Sequence, residues 1–322
     1  MTDEQRDTPG TVRLGSSELA VFPLCLGGNV FGWTADQDRS FAVLDAYAAG
    51  GGNFVDTADV YSAWASGNRG GESETVLGAW LRSRGNRDRI VVATKVGSHP
   101  AHKGLKPATV RAATEASLSR LGIETIDLLY THYDDPDTPV EEIIGGLDEL
   151  VREGKVREIG ASNITPERLR ASLDFSAREG LARYVALQPH YNLVSRATYE
   201  GELAAVVAEH GLGAVPYYAL ASGFLTGKYR PGGPAVNSAR ADGVARYLKD
   251  PRGPRVLTAL DEVAAAHRVE PASVALAWLT AQPTVAAPIA SARVVEQLGP
   301  LLVGAALRLT PEELALLDAA SA

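Results

Sequence analysis

Ile90-Val-Val-Ala-Thr-Lys95 and Ile126-Asp-Leu-Leu-Tyr-Thr-His132 are two short apolar runs rich in β-formers, joined by a longer stretch with helical spacing. Pro107 stands at the first helical position of that stretch, where a missing N–H is harmless, and Gly122 closes it. Runs that are apolar nearly throughout, rather than alternating, describe strands buried on both faces, as in a parallel sheet covered by helices. The segment is therefore one strand–helix–strand unit. Each of its strands ends in a residue able to carry charge, Lys95 and His132.

The same alternation extends in both directions. Further strand candidates occupy residues 24–27, 53–56, 158–162, 184–188, 213–217 and 284–289. Helical patterns lie between them. Residues 73–84 carry Val76, Leu77, Trp80 and Leu81 on one side, and residues 139–152 carry Ile143, Ile144, Leu147 and Leu150 before Gly154. Pro166 and Pro271 open two more. Eight such units predict an α/β fold closed into a (β/α)8 TIM barrel rather than an open sheet. A chain of 322 residues suits one such barrel, so we expect a flexible N-terminus over 1–10 and a single domain over 11–322. Residues 11–14 and 19–21, flanking Gly15-Ser16-Ser17, predict an N-terminal β-hairpin. The connection after strand 7, running to a helix near Arg255, is long and rich in Gly and Pro. Its 230–254 portion reads as a loop over one end of the barrel.

Composition narrows the class. With 45% hydrophobic and 22% charged residues a packed core is expected, and a net charge of −8 argues against nucleic acid or an anionic membrane as partner. The single cysteine, Cys25, allows no intramolecular disulfide and fits a reducing compartment. Residues 1–10 lack the apolar run of a signal peptide, and the apolar stretch near 274–290 is broken by Gln282, Pro283 and Pro288. The expected location is cytoplasmic, and the expected partner is a small molecule.

In an α/β barrel the active site lies at the C-terminal ends of the strands. Asp56, Lys95, His132, Ser162-Asn163, Gln188 and Tyr217 end six successive strand candidates. One polar strand end is ordinarily structural; six at one face predict a site built from many strands. Several chemistries are not supported. His99 and His102 with Asp134, Asp135 and Asp137 make no convincing metal set, and no Ser or Cys occupies a nucleophile elbow. Residues 223–228 resemble a phosphate loop but are one residue short, with Tyr229 in place of Ser or Thr. Gly27-Gly28-Asn29 lacks the dinucleotide-binding spacing. Tyr, Lys, Asp and His together point instead to proton donation to a carbonyl. A nearby ammonium lowers the pKa of a phenol, ordinarily about 10, a carboxylate holds the ammonium, and an imidazole orients the carbonyl oxygen. Such a set needs a hydride donor, a nicotinamide or a flavin.

These residues carry a resemblance that covers nearly the whole chain. Asn53-Phe-Val-Asp-Thr-Ala-Asp-Val-Tyr61, Ala93-Thr94-Lys95 and Asp127-Leu-Leu-Tyr-Thr-His132 resemble the segments of the aldo-keto reductases that carry the catalytic tetrad. The resemblance implies Asp56, Tyr61, Lys95 and His132 as catalytic residues, with Tyr61 as the acid. Gly160-Ala161-Ser162-Asn163 and Leu187-Gln188-Pro189 resemble the nicotinamide carboxamide site, and Tyr217 the residue that stacks on the ring. Residues 221–228 resemble the loop over the pyrophosphate, and Pro288-Ile-Ala-Ser-Ala-Arg293 with Gln297 the adenosine end. The cofactor residues so implied are Gly28, Asn29, Ser162, Asn163, Gln188, Tyr217, Ala219, Leu220, Ser222, Gly223, Leu225, Lys228, Ser291, Arg293 and Gln297. An arginine facing a 2′-phosphate favours NADP(H) over NAD(H). The pattern departs at Ser291, Leu301 and Tyr218, where glycine, asparagine and serine are common in the family. Gly70-Gly-Glu-Ser-Glu74 and Gln188-Pro-His-Tyr-Asn192 resemble the bacterial general reductases, a branch related to potassium-channel β-subunits. A nucleotide-sensing regulatory module and a cofactor-free lyase or isomerase barrel are the alternative readings. Trp33, Trp64, His99 and Tyr133 are candidates for an apolar substrate wall. The carbonyl itself is not specified.

Overall fold

The computed structural model describes residues 10–230, 232–233 and 241–322. All but the last of the residues expected to form a flexible N-terminus lie outside this set. Eight parallel strands form one curled sheet: β1 (Cys25–Gly27), β2 (Phe54–Asp56), β3 (Val91–Val96), β4 (Ile126–Thr131), β5 (Val156–Ser162), β6 (Tyr184–Gln188), β7 (Gly213–Ala214) and β8 (Ile289–Ala290). Their order around the sheet is β8-β1-β2-β3-β4-β5-β6-β7, the order of a (β/α)8 barrel. The ends of the sheet meet through main-chain bonds. Ala214 N–H donates to Thr284 O at 2.8 Å, and Ala286 N–H donates to Ala214 O at 2.9 Å. Both β7 and β8 are shorter than the predicted strands. Pro216, Pro283 and Pro288 sit in the adjoining backbone and have no N–H for the ladder.

The helices are α1 (Gln37–Ala49), α2 (Glu72–Arg84), α3 (Pro107–Leu121), α4 (Val140–Arg152), α5 (Pro166–Glu179), α6 (Glu202–Glu209), α7 (Ala241–Lys249), α8 (Arg252–His267), α9 (Pro271–Thr280), α10 (Leu298–Ala306) and α11 (Pro311–Ser321). Local signals set their ends. Asp36 and Thr165 accept from backbone amides at the starts of α1 and α5, and Gly122 and Gly180 adopt left-handed geometry just past α3 and α5. The core has two shells. Phe54, Ala93, Leu128, Tyr130, Ala186 and Val215 fill the barrel, while a larger shell lies between strands and helices.

The predicted N-terminal hairpin forms as Val12–Arg13 and Ala20–Val21 and closes the bottom of the barrel with Leu14, Leu19 and Val21. A Cβ at Gly15 would lie 2.2 Å from Val185 O, and its φ is +55°, so only glycine lets the turn sit this close. With the bottom plugged, the opposite end of the barrel carries the open cleft.

The long connection after β7 departs from the loop predicted for 230–254. It contains α7, and α8 already begins at Arg252. Residues 231 and 234–240 lie outside the described set. Val244 and Tyr247 are buried, and the Tyr247 ring stacks on Phe224 at 5.4 Å. The surrounding Gly and Pro residues masked this short helical period. A second hairpin, Ser98–His99 with His102–Lys103, also forms beyond β3, where no strand was predicted.

Candidate active site

Strand periodicity explains which side chains reach the mouth of the barrel. Alternate residues point inward. From Phe54 the next inward position in β2 is Asp56; from Ala93 in β3 it is Lys95; from Leu128 and Tyr130 of β4 it is His132, just past the strand's end. The apolar interior thus gives way to three polar side chains at one level. Tyr61 arrives differently, from the segment beyond β2. That segment continues to pair with β3, Thr57 N–H donating to Ala93 O at 2.8 Å and Asp59 N–H to Lys95 O at 3.0 Å.

Lys95 is the hub. It is 1% exposed, and its Nζ lies 2.6 and 2.7 Å from the two Asp56 carboxylate oxygens, 2.8 Å from Thr57 O and 2.9 Å from the Tyr61 oxygen. A buried ammonium is tolerable only with such partners. Gln188 Nε2 donates to Asp56 Oδ1 at 2.9 Å, and the Tyr61 hydroxyl lies 3.2 Å from Asp56 Oδ2. The His132 ring approaches Tyr61 edge-on at 6.1 Å, and its Nδ1 is buried without a hydrogen-bond partner among the described residues. Burial, and then Lys95, push the imidazole down to a pKa of about 3, so it is neutral at physiological pH.

The phenol differs from expectation. Burial first, and then the Asp56 carboxylate, hold the Tyr61 hydroxyl well above the ordinary tyrosine range. Lys95, 2.9 Å from the hydroxyl, does not reverse this direction. The phenol is therefore held protonated, as a proton donor must be.

A cleft of about 990 Å³ opens over this cluster. Asp56, Tyr61, His132, Ser162, Asn163, Gln188, Tyr217, Ala219, Leu220, Ser222, Gly223 and Lys228 line it, with Asn29, Ser291, Arg293 and Gln297 at its far end. Trp33, Trp64, Tyr133 and Tyr218 line it as well, with Trp33 against Trp64 at 5.6 Å. Four predicted residues lie off its wall. Lys95 sits beneath the cleft. Gly28 packs below it, its N–H donating to Asp56 O, and Gly27 takes its place on the wall. Leu225 is buried in the core, and Thr226 reaches the cleft instead. His99 belongs to the second hairpin and packs over Gly70, where a Cβ would lie 2.8 Å from its ring, while Ser98 faces the cleft. Glu270 and Glu296 also line the cleft and carried no sequence signal, each being an isolated acid next to a helix start.

The cleft carries features suited to a nucleotide. Ala221, Ser222 and Gly223 have successive positive φ values of 48°, 59° and 94°, a tight turn in which the Ala221 and Gly223 N–H groups donate to Tyr218 O and Leu220 O. Lys228 Nζ is adjacent, 3.4 Å from where a Cβ of Gly223 would be. The Tyr217 ring is fixed, its hydroxyl donating to Asn163 Oδ1 at 2.7 Å and its face backed by the His190 ring at 5.4 Å. Asn163 in turn donates to His132 O and Ser162 Oγ. At the far end Ser291 Oγ donates to Asn29 Oδ1, and Gln297 Oε1 accepts from the Arg293 amide. Among the described residues no group of three or more metal-ligating side chains is assembled, and no helix is long and apolar enough to cross a membrane.

Comparison with known proteins agrees with this architecture. The sequence pattern of the Aldo/keto reductase family matches residues 23–322. The chain is 33% identical to the uncharacterized oxidoreductase YrpG of Bacillus subtilis over 315 residues, covering 95% of this chain and 94% of the relative. It is 30% identical to the protein tas of Escherichia coli over 334 residues, covering 95% and 96%. It is 32% identical to the norsolorinic acid reductase stcV of Emericella nidulans over 314 residues, covering 92% and 77%. The chain belongs to the aldo/keto reductase family of oxidoreductases.

Proposed function

We propose that the protein reduces an aldehyde or ketone to an alcohol with NADPH, Tyr61 being the general acid. The observation that carries this reading is the single ammonium, Lys95, bonded at once to Asp56 and to the Tyr61 hydroxyl at the base of an open cleft. The residues of the cleft fit the cofactor. Asn163 and Gln188 would hold the carboxamide, Tyr217 the ring, the 221–223 turn with Lys228 the pyrophosphate, and Arg293 with Ser291 the 2′-phosphate. When bound, the reduced nicotinamide supplies hydride.

The chain's own residues do the rest. The neutral imidazole of His132 donates a hydrogen bond to the carbonyl oxygen and sets its position against Tyr61. As negative charge develops on that oxygen, the phenol transfers its proton. Lys95 stabilises the phenolate left behind, and the Asp56 carboxylate keeps the ammonium in place. The aromatic wall of Trp33, Trp64, Tyr133 and Tyr218 presents exposed apolar surface to which an apolar carbonyl compound can bind.

Tyr61→Phe tests the reading. It should lower kcat by about 10²- to 10⁴-fold, while NADPH still quenches intrinsic fluorescence. An unchanged rate would remove Tyr61 as the acid. Tight NADPH binding by the unmodified protein, without oxidation by any of a panel of simple aldehydes, would favour a nucleotide-sensing module instead.

A further inference from the structure

A second cluster of charge lies directly behind the tetrad, on the outward face of β3. Glu74 of α2 is fully buried. Its Oε1 accepts from Thr94 Oγ1 at 2.6 Å and its Oε2 from Arg120 Nε of α3 at 2.6 Å. Asp59, from the segment between β2 and Tyr61, is 1% exposed, and neither of its carboxylate oxygens has a hydrogen-bond partner of good geometry among the described residues. The amides of Gly97 and His99 lie close enough to favour its ionised form, as does Arg120, while Glu74 opposes it.

The neighbours account for the charge on every side. Glu74 comes from α2 and Arg120 from α3. His99 faces the cluster from the second hairpin, and desolvation followed by Arg120 and His102 lowers its basicity. Asp56 and Lys95 neutralise each other on the inner face of the sheet. Gly70 and Gly71 have left-handed φ values and make room. A Cβ at Gly70 would meet the His99 ring, and one at Gly71 would lie 2.4 Å from Arg120 Nε. Arg120 thus pairs with Glu74 alone, while the buried Asp59 carboxyl has no ion pair of its own among the described residues. With Asp59 protonated the cluster is neutral; with Asp59 ionised it holds an uncompensated negative charge. Burial and Glu74 accordingly raise the Asp59 carboxyl to about 7.

The cluster is tied to catalytic residues at two points. Thr94 immediately precedes Lys95, and Asp59 lies two residues before Tyr61, with its own N–H bonded to Lys95 O. We propose that Asp59 is a positioning residue for Tyr61: as the neutral acid it lets the 57–61 segment lie flat on β3 with the phenol on Lys95, and as the carboxylate it drives that segment away from Glu74 and displaces the phenol. The proposal rests on the reading of Tyr61 as the acid only for its effect on turnover.

Three measurements on the full chain test it, comparing the wild type with Asp59→Asn between pH 5.5 and 9. The first is kcat and KM for reduction of 4-nitrobenzaldehyde by NADPH. Wild-type kcat should fall as pH rises through about 7, with little change in KM. Asp59→Asn, fixed in the neutral state, should show a several-fold higher ratio of kcat at pH 8.5 to kcat at pH 6. The second needs no turnover. Trp64 lies 6.0 Å from the Tyr61 ring, so displacement of the segment should give a tryptophan fluorescence transition centred near the same pH, absent in the variant. The third is thermal unfolding, where the Tm of Asp59→Asn should gain on that of the wild type as pH rises.

If Asp59→Asn does not fold, Glu74→Gln serves. It keeps the shape that meets Thr94 and Arg120 but removes the repelling charge, so the fluorescence transition should be lost, as in Asp59→Asn. Absence of turnover in the wild type at any pH would defeat Tyr61 as the acid while the fluorescence transition still reports on Asp59. Identical fluorescence and Tm profiles in the wild type and the variants would overturn the positioning role.

Discussion

At the scale of single residues, burial decides the chemistry. Lys95 and Asp56 are each 1% exposed, so removing either leaves an uncompensated charge. Lys95→Met should therefore destabilise the protein by about 3–5 kcal/mol as well as abolish turnover, and urea unfolding reads the first effect separately. The buried imidazole gives a second test. His132 has a folded pKa of about 3, below its unfolded value, so the unfolded chain takes up the proton first as pH falls. Its contribution to stability is present above about pH 6.5 and is lost progressively as pH falls toward 3. His132→Gln should flatten the loss of Tm between pH 6.5 and 4.5 relative to the wild type. Asp59 acts in the opposite sense, since its raised pKa makes stability decline as pH rises from about 4 to 7. Cofactor selectivity also belongs to this scale. Arg293→Ala should weaken NADPH binding by about 10- to 100-fold, the value of charge-assisted hydrogen bonds, and leave NADH binding nearly unchanged by fluorescence titration. Equal losses for both nucleotides would place the 2′-phosphate elsewhere. Asp56, Lys95 and His132 were legible because each ends an apolar run. His99 was placed on the cleft wall by proximity in sequence, but the second hairpin turns it toward Gly70.

At the scale of elements, helices with a proline start and a glycine stop were found where the sequence signals them, as in α3 and α5. Elements whose partners lie far along the chain were not. The helix α7 has two buried apolar residues, Val244 and Tyr247, and is held by Phe224, so its burial depends on a contact the local pattern does not contain. A Cβ at Gly253 would lie 1.9 Å from Tyr247 O. Gly253→Ala should consequently disrupt the junction of α7 with α8, seen as faster hydrogen exchange in 241–253 with the tetrad amides unaffected. The strands β7 and β8 are two residues each, yet the sheet closes through main-chain bonds from Ala214 and Ile289 to residues beyond the strands. Proline removes donors from the ladder, but its carbonyl still accepts, as Pro216 O does from Ile289 N–H.

At the scale of the molecule, the hairpin at the bottom and the cleft at the top have separate tasks. Leu14 is fully buried under the barrel, so Leu14→Ala should cost about 2–5 kcal/mol of stability with KM unchanged, measured by urea unfolding and steady-state kinetics. A changed KM would show that the two ends are coupled. The sequence by itself determined the number and order of the strands, the barrel class and the polar strand ends, because hydrophobic period and proline–glycine punctuation are local properties. It also determined the family, since the tetrad segments are contiguous. Only the tertiary structure decided that Lys95 bonds Asp56 and Tyr61 together, that the phenol is held above its ordinary range, and that a buried Asp59 lies near the Glu74–Arg120 pair behind the site. Those outcomes depend on which charges meet inside a low-dielectric interior, and that is set by the packing of elements separated along the chain.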